Sequence, residues 1–377
     1  MNSLEELISI GSDWPSRAIT DWKQSGKKAV GFFCCYVPEE ILYAADILPV
    51  RIRAPGCAET TLADTYMSHL NCSFMRSCLQ YALDGKYDLL DGLVFCNSCD
   101  HARRLYDILR EIAPARFPFL HLISVPHKAD KDMAGWYAGD LAAFKAKARD
   151  FFGADISDKR LRTAIESYNE TRTLLRRLYD LRKRKTPPLT GAETLSVFLA
   201  GCSMPKDEYN VMLRKLLTEL ESRAGISDYR ARLMVAGSGG CDDPNYFEVI
   251  EDMGGLIVTD SLCFGSRYFW EPVAVREDLM LALAESYLKR PSCPRMVDNV
   301  VARSDYVKQM ARDSHVDGVI FQRIRYCDLW GGQMLHLEKH LRESEIPILS
   351  VDREYSLSAT GQLRTRVQAF LERLEGD

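Results

Sequence analysis

Short apolar runs rich in β-branched and aromatic residues alternate along this chain with stretches in which apolar residues recur at helical spacing. Residues 28–34 (KAVGFFC), 90–96 (LDGLVFC) and 117–125 (FPFLHLISV) read as buried strands, and helical patterns at 39–48, 73–84 and 101–113 separate them. The alternation returns after residue 230, where 233–237 (LMVAG), 255–259 (GLIVT), 316–321 (VDGVIF) and 346–351 (IPILSV) are strand candidates leading into polar or glycine-containing loops. Apolar strands joined through helices predict parallel sheets in an α/β fold. Between the two halves, 155–225 is helical in character, with Ile165, Tyr168, Leu175 and Leu178 near helical spacing. The expected division is an N-terminal α/β lobe (1–154), a helical segment (155–229) and a C-terminal α/β lobe (230–377). The similar alternation in the two lobes is consistent with a distant structural duplication.

The length of 377 residues, with 46% hydrophobic and 27% charged, is enough for two or three domains with substantial cores. Glu5, Glu6 and Asp13 stand where a signal peptide would need a basic start and an unbroken apolar core, and no run has the length to cross a bilayer. The expectation is a cytoplasmic protein without a membrane partner. A formal charge of -4 offers no general attraction to nucleic acid.

Against that background the twelve cysteines change the picture. Thiols kept reduced in a cytosol serve as metal ligands, redox groups or packed hydrophobes more often than as halves of disulfides. In parallel α/β folds chemistry collects in the loops at the C-terminal ends of strands. Cys34 and Cys35 end the first strand, Cys96 and Cys99 end another, and Cys327 follows the strand ending near Phe321; Cys72 lies in the segment 71–76 (NCSFMR). A cubane cluster needs soft thiolates converging from different directions, and loop tips of facing sheets supply that geometry. Three protein thiolates would leave one iron open. Spacing alone leaves open whether Cys96 or Cys99 is the ligand. It also leaves a redox dithiol at Cys96-x-x-Cys99 and a structural zinc site, although zinc favours two close pairs and only one is present. Cys57, Cys78, Cys202, Cys241, Cys263 and Cys293 are expected to be packing residues.

Other loops carry candidate groups, each with a plain structural reading beside it. Glu39 and Glu40 follow Pro38, which is also how a helix begins. Residues 237–244 (GSGGCDDP) could bring backbone amides close to an anionic group, or form a tight turn before a helix start. Arg267, shortly after a strand, could meet an anionic group, or sit in an ion pair. The run Arg182 to Lys185 could contact a polyphosphate, or complement a helix C-terminus.

Six segments in order, 36–45 (YVPEEILYAA), 71–77 (NCSFMRS), 85–92 (GKYDLLDG), 99–107 (CDHARRLYD), 325–328 (RYCD) and 361–371 (GQLRTRVQAFL), resemble the benzoyl-CoA reductase / 2-hydroxyacyl-CoA dehydratase family nearly end to end. The resemblance implies two flavodoxin-like lobes plus a helical part, pairing with a homologous or identical subunit, and one oxygen-sensitive 4Fe-4S cluster per subunit. Carried over by motif, its ligands are Cys72, Cys99 and Cys327, with Cys96 left to pack beside them. Glu40 falls in the family's Pro-x-Glu-Ile/Leu motif, which implies a catalytic part in positioning substrate or relaying protons. The implied chemistry is single-electron reduction of an acyl-CoA or aroyl-CoA thioester, the electron coming from a separate ATP-hydrolysing iron–sulfur activase. This chain lacks a P-loop sequence and is not expected to be that component. Residues 54–66, 99–107 and 260–267 look more like the benzoyl-CoA reductase branch, which forms a cyclic diene, than the dehydratase branch, which expels water through a ketyl radical. Two further readings stay within the resemblance: a double-cubane protein, in which related subunits join clusters through a bridging sulfide and reduce small molecules, and an electron-transfer subunit.

Overall fold

The structure, a computed structural model, describes residues 2–357 and 360–376. Its first lobe runs α1 (Ser3–Ser12), α2 (Arg17–Gln24), β1 (Lys28–Phe32), α3 (Glu39–Ala44), β2 (Ile47–Arg51), α4 (Ser73–Leu83), β3 (Gly92–Cys96), α5 (Asp100–Ile112), β4 (Phe119–Ile123) and α6 (Lys131–Phe152). Three helices follow, α7 (Asp158–Arg182), α8 (Gly191–Gly201) and α9 (Lys206–Ser222). The second lobe contains β5 (Ala231–Gly237), α10 (Pro244–Glu251), β6 (Gly255–Ser261), α11 (Ser266–Phe269), α12 (Leu279–Lys289), α13 (Val300–Asp313), β7 (Gly318–Ile324), α14 (Asp328–Arg342), β8 (Ile348–Arg353) and α15 (Thr360–Gly376).

Each lobe has one four-stranded parallel sheet, in the orders β2-β1-β3-β4 and β6-β5-β7-β8. These are the same flavodoxin-like order, so the expected α/β class with two such lobes is what the chain forms. The central strands β1, β3, β5 and β7 are almost wholly buried, which is why they read as continuous apolar runs. Local chemistry sets the helix ends. Asn2 with Glu5 and Thr190 with Glu193 form capping boxes at α1 and α8, and Gly153 in the left-handed conformation closes α6. The lobes are joined through α6 against α12, while α7 packs on α3 and α9, and α1 packs on α8. Among the described residues no helix is long and apolar enough to cross a membrane.

One expected element is different. The helix read over 39–48 stops at Ala44, and the chain turns through Asp46 (φ 58°) into β2. Pro49 lies inside that strand, opposite Val30, and is tolerated because β2 is at the sheet edge and needs fewer amide donors.

Candidate functional site

In each sheet the chain reverses direction of winding between its two central strands, and ligands of such sheets sit at the C-terminal ends of those strands. Here the two places face one another across a cavity of about 110 Å³. Cys72, Cys99 and Cys327 line it, and they also line a neighbouring space of about 200 Å³ walled by His127, Tyr326 and Leu329. Each of the three is the residue that caps a helix N-terminus: Cys72 for α4, Cys99 for α5 and Cys327 for α14. The helices are 11, 13 and 15 residues long, so three positive dipole ends and their unsatisfied amides point at one place. The Cys99 Sγ accepts from the Ala102 N–H at 3.4 Å. Cys99 and Cys327 occupy corresponding places, after the third strand of each sheet, and Tyr326 takes a positive φ of 64° to bring Cys327 into line.

Without a bound cation these thiols are costly to ionise. Burial pushes the Cys72 thiol up to about 12, with Cys99 adding repulsion, and burial likewise raises Cys99 and Cys327. A bound metal reverses that preference by deprotonating the sulfur directly. Among the described residues no three His, Cys, Asp or Glu side chains are gathered closely enough for one metal ion. The thiols line a cavity instead of meeting at a point. That donor set suits a multi-iron cluster, in which each thiolate binds a different iron, better than tetrahedral zinc.

His101 ties the three capping segments together. Its Nδ1 accepts from the Cys72 N–H at 2.8 Å, so the proton sits on Nε2, which faces Asp328 Oδ2 at 3.6 Å; burial holds the imidazole below its usual range. Arg104 on α5 also donates to Asn71 Oδ1 at 2.6 Å, fixing the residue before Cys72.

Four further thiols, Cys34, Cys35, Cys263 and Cys293, line the same cavity; Cys263 and Cys293 pack against the core, as expected, and also face this space. Gly239 leaves room for Cys263, whose Sγ would be 3.3 Å from a Cβ built there. Cys57, Cys78, Cys202 and Cys241 are buried away from it, and Cys96 is buried at the end of β3 without lining it. Ser238 and Gly239 of the glycine-rich loop reach the cavity wall, whereas Asp243 caps α10 and Pro244 occupies its first turn. Arg182 in the basic run is buried against the Ile257 carbonyl, and Lys183 pairs with Asp180 at 2.7 Å. Arg267 lines the cavity and, among the described residues, has no carboxylate partner.

Glu40 lies behind the cavity wall. Its buried carboxylate accepts from Arg172 Nη2 at 2.5 Å and from the Tyr287 hydroxyl at 2.6 Å. Burial works to raise its pKa, but Arg172, Arg290 and Tyr287 outweigh burial and hold it below the usual carboxylate range. Arg290 in turn donates to the Cys35 carbonyl at 2.8 Å. His101 lines the neighbouring space and Arg51, Cys263 and Cys293 the cavity itself, although sequence reasoning did not single them out for a role. Only His101, two positions beyond Cys99, carried a signal there.

Two flavodoxin-like lobes that present buried thiols from helix N-termini to a shared cavity define a cysteine-centred α/β protein with its site between the lobes. A family model described as 2-hydroxyglutaryl-CoA dehydratase, D-component, matches residues 34–374, and the chain belongs to this family. It is similar to one subunit of the benzoyl-CoA reductase of Thauera aromatica, 26% identical over 350 residues, covering 91% of this chain and 90% of the relative. It is also similar to the (R)-phenyllactyl-CoA dehydratase beta subunit of Clostridium sporogenes, 25% identical with 93% of each chain covered. A third relative is the beta subunit of (R)-2-hydroxyglutaryl-CoA dehydratase from Acidaminococcus fermentans, 25% identical with 98% of each covered. All three are subunits of enzymes named for CoA thioesters, one a reductase and two dehydratases. Membership therefore supports an enzyme subunit without separating the two chemistries.

Proposed function

We propose that this chain is the iron–sulfur subunit of an enzyme that reduces a CoA thioester one electron at a time at low potential, of the benzoyl-CoA reductase type, with a cyclic diene as product. The observation that carries the reading is the placing of Cys72, Cys99 and Cys327 at three helix N-termini around one cavity. Cys72, Cys99 and Cys327 would hold a 4Fe-4S cluster, which would supply a one-electron carrier there. The helix ends offset the negative charge of the thiolates, and Phe33, Phe74, Phe264 and Trp330 give the cavity apolar walls. Glu40 acts from behind the wall as a positioning group, through Tyr287, whose ring lies 3.5 Å from the Arg290 guanidinium, and through the bond of Arg290 to the Cys35 carbonyl; an acid held ionised is a poor proton donor near neutral pH. A homologous or identical second subunit and a separate ATP-hydrolysing activase complete the system.

The reductase branch rests on the segments 54–66, 99–107 and 260–267. The alternative within the family, elimination of water from a 2-hydroxyacyl-CoA, is favoured by the description of the matching family model. A double-cubane reading is favoured by the four further thiols in the cavity. The test is the electron paramagnetic resonance spectrum of the reduced protein, purified anaerobically with its partner subunit, before and after each thioester. A change with benzoyl-CoA supports the proposal. A change only with 2-hydroxyacyl-CoA transfers the chain to the dehydratases, and no change with either makes it an electron-relay subunit.

A further inference from the structure

Several buried arginines of this chain have acceptors for their guanidinium groups. Arg232 donates to the carbonyls of Arg182, Arg184, Ser314 and His315, and Arg303 donates to Gln333, Ser292 and the carbonyls of Cys293 and Met296. Arg172 has Glu40. A lone unpaired Nε recurs among the buried arginines, at Arg53, Arg172, Arg182, Arg290 and Arg295, but each of these donates from another guanidinium nitrogen at 2.8 Å or less. Arg51 and Arg267 make no such bond, and both line the cysteine cavity.

Arg51, at the end of β2, is 3% exposed, and its Nε and Nη1 have no acceptor. Its guanidinium carbon lies 4.6 Å from the centroid of the Phe264 ring and 5.4 Å from that of Phe32. Arg267, on α11, is also 3% exposed; its Nε has no acceptor and its other contacts are carbonyls of Ser292 and Gly237 at 3.4 and 3.5 Å, the outer limit of a hydrogen bond. Its guanidinium lies 4.9 Å from the centroid of the Trp330 ring. Among the described residues neither arginine has a carboxylate within 4.0 Å. Each lobe thus contributes one cation from beside its edge strand.

A guanidinium does not shed its proton, so burial cannot neutralise it as it would a lysine. Ring faces attract a cation but supply no counter-charge. A buried charge with neither a counter-ion nor close acceptors is strongly destabilising, and two beside the same thiols are more so. Neutral thiols do not balance them.

We infer that Arg51 and Arg267 are counter-cations for an anion held in this cavity. Resting on the function proposed above, that anion is the thiolate-bound iron–sulfur group, whose negative charge grows by one on accepting an electron. The pair therefore favours the reduced state and helps set the potential. Both are tuning residues, not catalytic ones.

The test uses Arg51→Gln, Arg267→Gln and the corresponding lysine variants, each purified anaerobically with the partner subunit. Iron content is measured first, followed by a redox titration read by electron paramagnetic resonance. The expected result is retained iron with a more negative midpoint in each glutamine variant, a larger shift in the double variant, and a return toward wild type with lysine. Iron lost with glutamine and restored with lysine has the same meaning, since both follow from the missing positive charge. Retained iron with an unmoved midpoint overturns the inference, as does iron lost equally with glutamine and lysine. Wild-type protein without iron removes the functional reading itself, together with this inference.

Discussion

Replacing Glu40 by glutamine separates a structural ion pair from a proton relay. The carboxylate is fully buried between Arg172 at 2.5 Å and the Tyr287 hydroxyl at 2.6 Å, and Arg172 itself is 3% exposed. Arg172 keeps a second acceptor in Asn169 Oδ1 at 3.0 Å, which supplies no charge. Glutamine preserves the volume but presents one oxygen to two donors and leaves the guanidinium uncompensated. Breaking a buried pair from one side costs about 3–5 kcal/mol, out of a folding margin of about 5–15 kcal/mol. The assay is urea unfolding, with the midpoint compared at equal slope. Adding Arg172→Met to Glu40→Gln removes the stranded charge and is expected to recover part of the loss. Because the carboxyl is held below its ordinary pKa when folded, its contribution is present above the unfolded value and fades as pH falls through the folded one. The acid limb of the wild-type stability profile is therefore expected to flatten in Glu40→Gln. A midpoint within about 1 kcal/mol of wild type at neutral pH, with an unchanged acid limb, refutes the ion-pair argument. A large fall in kcat with an unmoved midpoint would instead make Glu40 a proton relay.

Three other changes probe the site and its frame. Cys72→Ala, Cys99→Ala and Cys327→Ala are each expected to lose cluster iron, while Cys293→Ala keeps it under the single-cluster reading; iron analysis of the four variants decides. His101→Ala strands the buried Cys72 N–H, costing about 1–3 kcal/mol, and is expected to speed iron release to a chelator, whereas an unchanged release rate would show that the imidazole does not brace the loop. Gly237→Ala drives a Cβ into the Gln322 carbonyl at a φ of 127°, so a lowered thermal midpoint is expected, and an unaltered one contradicts the close packing of β5 against β7.

Much of this architecture was legible from local pattern. Seven strands stand out as short, mostly apolar runs, and the thiols at Cys34, Cys35, Cys99 and Cys327 could be placed at strand ends from position alone. β2 was hidden because a short helix runs into it and Pro49 reads as a breaker, a reading that only the edge position of the strand corrects. The environment of Glu40 was invisible for a different reason. Its partners Arg172 and Tyr287 are 132 and 247 residues away, and nothing in a Pro-Glu-Glu segment announces a buried counter-ion. Cys263, Cys293 and Arg51 were likewise indistinguishable from packing residues until the two lobes brought them to one cavity. Local pattern reports strands and caps, whereas cavity chemistry depends on contacts between lobes.

The most direct test of the account is the iron and acid-labile sulfide content of the wild-type protein, purified anaerobically with its partner subunit and examined by Mössbauer spectroscopy. One four-iron cluster per copy of this chain, lost on replacing Cys72, Cys99 or Cys327, is the predicted result. Protein without iron or sulfide would contradict the central claim.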